Sequence, residues 1–273
     1  MELRSHQSWH CLSSSILHIL PPRTGAAAEN MATDFLLLQR YPQPDAARFR
    51  HYEWRTEAFT FGYSQKISFV RANLPSVALA KEGLPHSSNF DLCRRPTGGG
   101  IVNHRNDWTY TLVIPRGHAL YDVPAPQSYR AVHEALAAAL NTLGQPAGVK
   151  LECEPCEVEP DLRAGSNLSG GQVPPAGICF TRAERFDVVL PRTERKIAGA
   201  AQKRNKHGLL LQGSIEKSAV DAMDWDLFGE RFAGELARML RAEERPTPWP
   251  DLNENELSGL TEHYSAPEWI EYR

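Results

Sequence analysis

Charge of one sign is in short supply in this 273-residue chain: 30 Lys and Arg against 33 Asp and Glu leave a formal net charge of -3. That balance points to neither nucleic acid nor an acidic membrane as partner. Long hydrophobic runs are lacking too; no apolar stretch approaches the roughly 20 residues of a membrane span. Cysteine is sparse, and the five present stand at 11, 93, 153, 156 and 179. An odd number at uneven spacing argues against a disulfide framework and fits a reducing compartment such as the cytoplasm. Cys153 and Cys156 form one CxxC, in "ECEPCEVEP", without the second Cys or His pair of a structural zinc site, so no metal is expected. There is no internal repeat. There is also no phosphate loop of the GxxxxGK[ST] type and no glycine fingerprint opening a helix.

What is present is an ordinary globular composition, 41% hydrophobic and 23% charged, in a chain long enough to bury a core without staples. Residues 1–30 carry only a short apolar run, Ile16 to Leu20, broken by His18. They are expected to be a disordered extension or a start site placed too early, with Met31 opening a single domain over 31–273. "TEAFTFGY" (56–63) and "WTYTLVI" (108–114) predict strands; in the second, Trp108, Tyr110, Leu112 and Ile114 share one face. "SYRAVHEALAAALNTL" (128–143) predicts a helix with Ser128 as N-cap and Gly144 just past its end. Residues 145–178, rich in Pro and Gly, predict a long loop. Strands follow at 185–190 and 208–215, with "RKIAGAAQKR" between them as a connection, and a helix over about 226–241 buries Leu227, Phe228, Phe232, Leu236 and Leu240. Strands and helices interleave without a regular βαβ rhythm. The fold class expected is therefore α+β, a mixed sheet with helices packed on it.

Three stretches carry candidate chemistry. In "RRPTGGGIVNH" (94–104), Gly98, Gly99 and Gly100 can bring bare backbone against a ligand, and Arg94 and Arg95 can hold an anion. The same residues also fit a tight turn with solvated arginines. In "RKIAGAAQKR", Lys196 stands beside the small residues Ala198, Gly199, Ala200 and Ala201 and can reach a carbonyl or a thiolate; a surface lysine in a turn fits as well. In "GICFTRAERFDVVL", Cys179 can be a nucleophile if a cation lowers its pKa, or an inert buried thiol.

Together these stretches resemble the lipoyl and biotinyl protein ligase/transferase superfamily. "MATDFLLLQ", "WRTEAFTFGYSQ" and the closing "YSAPEWIEYR" fit it too, so the resemblance runs from about Met31 to the C-terminus. Within it, "GICFTRAERFDVVLPRTERKIAGAAQKR" is most similar to the cysteine-dependent octanoyltransferases. The resemblance implies a biotin/lipoyl protein ligase catalytic-domain fold. It implies Cys179 as the nucleophile that takes octanoyl from acyl carrier protein as a thioester. It implies Lys196 as the residue that lowers the cysteine pKa and orients the acyl carbonyl. Arg95, Thr97, Gly98, Gly99, Gly100, His104, Gly199 and Ala200 would line the acyl site. The acceptor would be a lysine of a lipoyl domain, such as the glycine-cleavage H protein, and the enzyme a monomer that needs no cofactor.

Four positions depart from the pattern. Phe35 follows Asp34 where an acidic pair is common, and Gln212 stands in "QGS" where "HGS" is common. Gly100 makes a triple glycine, more usual in the ligases, and Arg105 follows His104 in place of Asp. They keep open an ATP-dependent lipoate–protein ligase, an octanoyl/lipoyl amidotransferase and a non-catalytic carrier-binding module. An acidic carrier would call for a basic patch, for which Arg192, Arg195, Lys203, Arg204 and Lys206 are candidates.

Overall fold

The computed structural model describes residues 15–74, 90–151 and 182–272. An eight-stranded mixed sheet runs in the order β11-β1-β2-β6-β10-β9-β8-β7. Its strands are β1 (Ser15–Gly25), β2 (Ala47–Trp54), β6 (Asp107–Pro115), β7 (Gly148–Val149), β8 (Val188–Val189), β9 (Lys196–Asn205), β10 (Gly208–Glu216) and β11 (Ala242–Pro246). β1 pairs in parallel with β2 and β11, and the other neighbours are antiparallel. A second, three-stranded sheet, β4-β3-β5, is built from β3 (Glu57–Phe61), β4 (Phe90–Arg94) and β5 (Ile101–Asn103). The α+β class expected from sequence is what the chain adopts.

Alternation along β6 decides the layering. Trp108, Tyr110, Leu112 and Ile114 project to one face and are buried with Phe49, Leu209 and Leu211. Two helices close over them: α4 (Ala125–Thr142), through Val132, Leu136 and Leu140, and α5 (Trp225–Leu240), through Phe228, Phe232, Leu236 and Leu240. Residues of one strand face a second layer at every other position, so the intervening residues of β2, β6 and β10 form an opposite face. That face is covered by α1 (Ala27–Gln39); it is apolar at one end, where Val113 and Leu210 pack with Leu37 and Leu38, and polar along the rest. Of the remaining helices, α2 (Ile67–Asn73) and α3 (Ala119–Asp122) are short connections, and α6 (Glu254–Ser265) packs on α1, followed by α7 (Pro267–Ile270). Among the described residues, no helix is long and apolar enough to cross a membrane.

Several expectations are corrected. Ser15–Gly25, inside the segment expected to be an extension, is a strand between β2 and β11 with Leu17 fully buried. The features that broke the sequence pattern are absorbed: His18 bonds the Tyr41 hydroxyl at 2.6 Å, and Pro21–Pro22 sit at a register shift between Leu20 and Arg23, where missing ladder donors are tolerated. Met31 lies within α1 instead of opening the fold. α4 starts at Ala125, upstream of Ser128, because Pro126 occupies the first turn, where no N–H partner is needed. Ser128 instead bonds Ala125 O and Gln202 Oε1, each at 3.0 Å. Leu227 is only half-buried. The strand expected at 185–190 shortens to Val188–Val189, and "RKIAGAAQKR", expected as a connection, is most of β9. β9 has little apolar pattern of its own; its ladder to β10, from Ala198↔Ile215 to Asn205↔Gly208, holds it extended.

Candidate active site

The polar face of the sheet makes the floor of a pocket. Tyr52 of β2 stands opposite Thr109 of β6, Thr109 opposite Ser214 of β10, and Ser214 opposite Gly199 of β9. The next row is Arg50, Thr111, Gln212 and Ala201. The loop Arg95–Gly100 forms the facing wall, with Val102 and His104 beside it, and Met31 of α1 and Trp54 complete the lining. The cavity they leave is small, about 40 Å³.

The loop is held by its own arginines. Arg94, fully buried, donates to the carbonyls of Tyr63 (2.7 Å), Gln65 (2.8 Å), Trp269 (3.0 Å) and Ile270 (2.8 Å). Arg95 donates to Gly98 O and Gly100 O, each at 2.9 Å, and to Thr60 Oγ1 at 2.7 Å. Both guanidinium groups thus brace backbone. Two glycines are required sterically. Gly99 has φ +87°, and Gly62 lies so close beneath the loop that a Cβ there would fall 2.1 Å from Gly99 O. Thr97, also buried, donates to Gln212 Oε1 at 2.7 Å.

His104 is one link in a buried relay. Arg95 donates to Thr60, Thr60 meets His104 Nε2 at 2.7 Å, and His104 Nδ1 meets Asp107 Oδ2 at 2.7 Å. Thr109 and Ser214 also donate to Asp107 Oδ2. Burial by itself would raise the Asp107 pKa, but the His104 imidazole and these hydrogen bonds outweigh it and hold the carboxyl below its ordinary range. Trp54 stacks on His104 at 4.0 Å and donates to Thr109 at 2.9 Å. Gln212, where a histidine was the commoner residue, donates to Asp34 Oδ2 at 2.6 Å. Asp34 in turn forms a fully buried ion pair with Arg50 at 2.7 Å.

Lys196 opens β9 and is 8% exposed. Its Nζ lies 2.7 Å from Asp187 Oδ2, and its side chain passes Gly199 so closely that a Cβ there would lie 2.7 Å from Cε and Nζ. Gly199 and Ala200 therefore line one side of the pocket, with Lys196 packed against Gly199 outside the lining, and Arg95, Gly99, Gly100 and His104 line the wall across from them; Thr97 and Gly98 belong to the same loop without lining the pocket. Cys179 lies outside the described residues, as do Cys153 and Cys156. Arg105 turns away from the pocket to pair with Glu57 at 2.9 Å, and Phe35 packs edge-on to Tyr264. The basic candidates do not form one patch: Arg192 and Arg195 precede β9, whereas Lys203, Arg204 and Lys206 lie at its far end, about 30 Å away at ~3.3 Å per residue.

Sequence reasoning passed over Thr60, Asp107, Asp187 and Tyr129. The available signal was an isolated Asp inside the apolar "RFDVVL", since a charge carried into a core needs a partner.

A mixed sheet with a glycine-rich loop over a pocket on its polar side is the fold of lipoate-protein ligase-type catalytic domains. The chain belongs to the lipoyl protein ligase A/B catalytic domain family, whose model matches residues 26–219. Among curated proteins it is 27% identical over 218 residues to the octanoyltransferase LipM of Exiguobacterium sp., covering 80% of this chain and 71% of that one. It is 28% identical over 204 residues to LipM of Bacillus subtilis (74% and 65%) and 31% identical over 191 residues to LipM of Clostridioides difficile (69% and 60%). The chain thus matches about two thirds of the length of these relatives. Its fold is that of a lipoate protein ligase-type structure from T. acidophilum with bound lipoic acid, with a TM-score of 0.64 and 19% identity over 94% of this chain and 99% of that one. A lipoate-protein ligase A structure bound with ATP gives the same TM-score at 17% identity, covering 94% and 98%.

Proposed function

We propose that this protein is an octanoyltransferase of protein lipoylation. It takes octanoyl from acyl carrier protein and passes it to a lysine of a lipoyl domain, such as a glycine-cleavage H protein. The observation that carries the reading is the conjunction of octanoyltransferase relatives with a pocket beneath the glycine-rich loop whose Gly199 wall lies against Lys196. In the first step Cys179 gives up its proton, its thiolate attacks the donor thioester, and the carrier leaves as a thiolate that takes up that proton. In the second the acceptor amine attacks the Cys179 thioester, forming the amide and returning the thiol. A covalent thioester divides the transfer into two easier displacements. Lys196, with backbone N–H groups nearby, supplies the charge and donors that favour the thiolate and each oxyanion. The acyl chain arrives activated, so the reaction calls for no metal and no nucleotide. Each buried CH₂ of the chain contributes about 0.8 kcal/mol to binding. The protein acts as a monomer in the cytoplasm, where a reducing environment keeps the nucleophile a thiol.

Intact-mass spectrometry tests the reading. After incubation with octanoyl-acyl carrier protein, wild type should gain one octanoyl mass and Cys179→Ser none. A wild-type spectrum without the adduct overturns the thioester route, and pyrophosphate release from lipoate and ATP would identify a ligase instead.

A further inference from the structure

Behind the pocket end lies a buried cluster that the two-step scheme does not use. Asp187 is 1% exposed, and its carboxylate is fully engaged. Oδ2 accepts from Lys196 Nζ and from Glu184 N, each at 2.7 Å, and Oδ1 accepts from the Tyr129 hydroxyl at 2.6 Å. Tyr129 Oη in turn accepts from the backbone N–H of Ala200 at 3.0 Å, and Ala200 lines the pocket. The ion pair is therefore fastened to the pocket wall through one phenol.

The backbone carrying Asp187 is strained to the same end. Phe186 has φ +70°, a region that bulky residues avoid and that persists only where the surroundings impose it. They do so here. Phe186 N donates to Lys150 O at 2.7 Å, and Phe186 O meets His133 Nδ1 at 2.6 Å. His133 is fully buried against the Tyr129 ring, with centroids 4.1 Å apart. Gly199, by lacking a Cβ, leaves room for the Lys196 ammonium and for Asp187 Oδ1, which a Cβ there would approach to 2.7 and 3.2 Å.

We infer that Asp187, fixed by Tyr129 and by the strained Phe186 corner, is a positioning residue. It aims the Lys196 ammonium across Gly199 into the acyl pocket as a directed hydrogen-bond donor to the acyl carbonyl. A lysine has a long flexible stem, and a donor stabilises a developing oxyanion only if it is held in place beforehand. Asp187 contacts no reacting atom and acts through Lys196. The inference rests on the octanoyl-transfer reading for its kinetic arm alone.

A double-mutant cycle tests it. Asp187→Asn should slow single-turnover acylation from octanoyl-acyl carrier protein at least tenfold, with KM for the donor within twofold of wild type. In a Lys196→Ala background the same change should alter the rate less than twofold, because residues acting as one unit are not additive. A merely structural role would instead give multiplicative losses. Tyr129→Phe, which keeps the ion pair, should slow acylation three- to tenfold with the same non-additivity. Rates for Asp187→Asn within twofold of wild type, or losses that multiply, overturn the inference. If wild type forms no acyl adduct, the transfer reading fails by itself, and amine labelling decides the positioning role. At pH 7, Lys196 should be labelled at least fivefold faster in Asp187→Asn than in wild type, and equal labelling overturns the inference.

Discussion

His133 gives the fold a specific sensitivity to acid. It is fully buried in α4, and burial pushes its pKa from 6.5 down to about 4, against the smaller opposing influence of the Asp187 charge. The unfolded chain therefore binds a proton that the folded chain refuses between those two values. Stability is full above pH 6.5 and falls as the pH drops from 6.5 towards 4. At about 1.4 kcal/mol per tenfold change in affinity, the gap between 6.5 and about 4 is worth about 3 kcal/mol, a large part of the ~5–15 kcal/mol of a typical domain. The perturbation is His133→Gln, which offers an amide donor to Phe186 O and does not titrate. Burial lowers the His51 pKa as well, so wild type and variant share that contribution and only their difference is diagnostic. Urea unfolding at pH 7 and pH 4 should show wild type losing about 3 kcal/mol more than His133→Gln. Equal losses in the two proteins would refute the argument that His133 is held neutral by burial.

The remaining predictions concern the pocket and its supports. Burial pushes the Cys93 thiol up to about 12, and its Sγ lies 3.5 Å from Tyr264 O; iodoacetamide at pH 8 should leave it unmodified in the native protein and label it after denaturation. Native labelling of Cys93 would contradict the packing of α6 against β4. Gly199→Ala would place a Cβ 2.7 Å from the end of the flexible Lys196 side chain, so the lysine should move aside. Octanoyl transfer should drop at least tenfold while the thermal midpoint shifts by only a few degrees; a variant with wild-type transfer would show that Lys196 does not work from this position. Arg50→Met leaves the Asp34 carboxylate buried beside Gln212 without its cation. Removing one partner of a buried pair costs about 3–5 kcal/mol, so chemical denaturation should reveal that loss, and a smaller one would mean water reaches Asp34.

The residues differ in how much of their fate they carry locally. Trp108, Tyr110, Leu112 and Ile114 determine β6 and its buried face by alternation alone, and the three- and four-residue spacing of Phe228, Phe232, Leu236 and Leu240 determines α5. The glycine-rich loop and Lys196 were legible as site candidates because bare backbone and a lysine among small residues are local features. The same holds for the family resemblance, which is read from short ordered motifs.

Other features were settled only by partners distant in the chain. Ser15–Gly25 has prolines and a histidine that disfavour a strand locally; β2 and β11, far apart in the sequence, supply its ladder. Lys196–Asn205 lacks apolar alternation and is extended because β10 pairs with it. Arg94 and Arg95 look like anion ligands in sequence, yet the loop geometry turns both inward to main-chain carbonyls. Asp107 and Asp187 show no role until folding buries them, when each needs a partner: His104 three residues away for one, Lys196 at the start of β9 for the other. Local pattern thus determined which faces are apolar and which motifs are present. Tertiary structure decided which charges meet, because the cost of burying a charge is incurred only in the folded chain and is relieved by whatever the fold brings within about 3 Å.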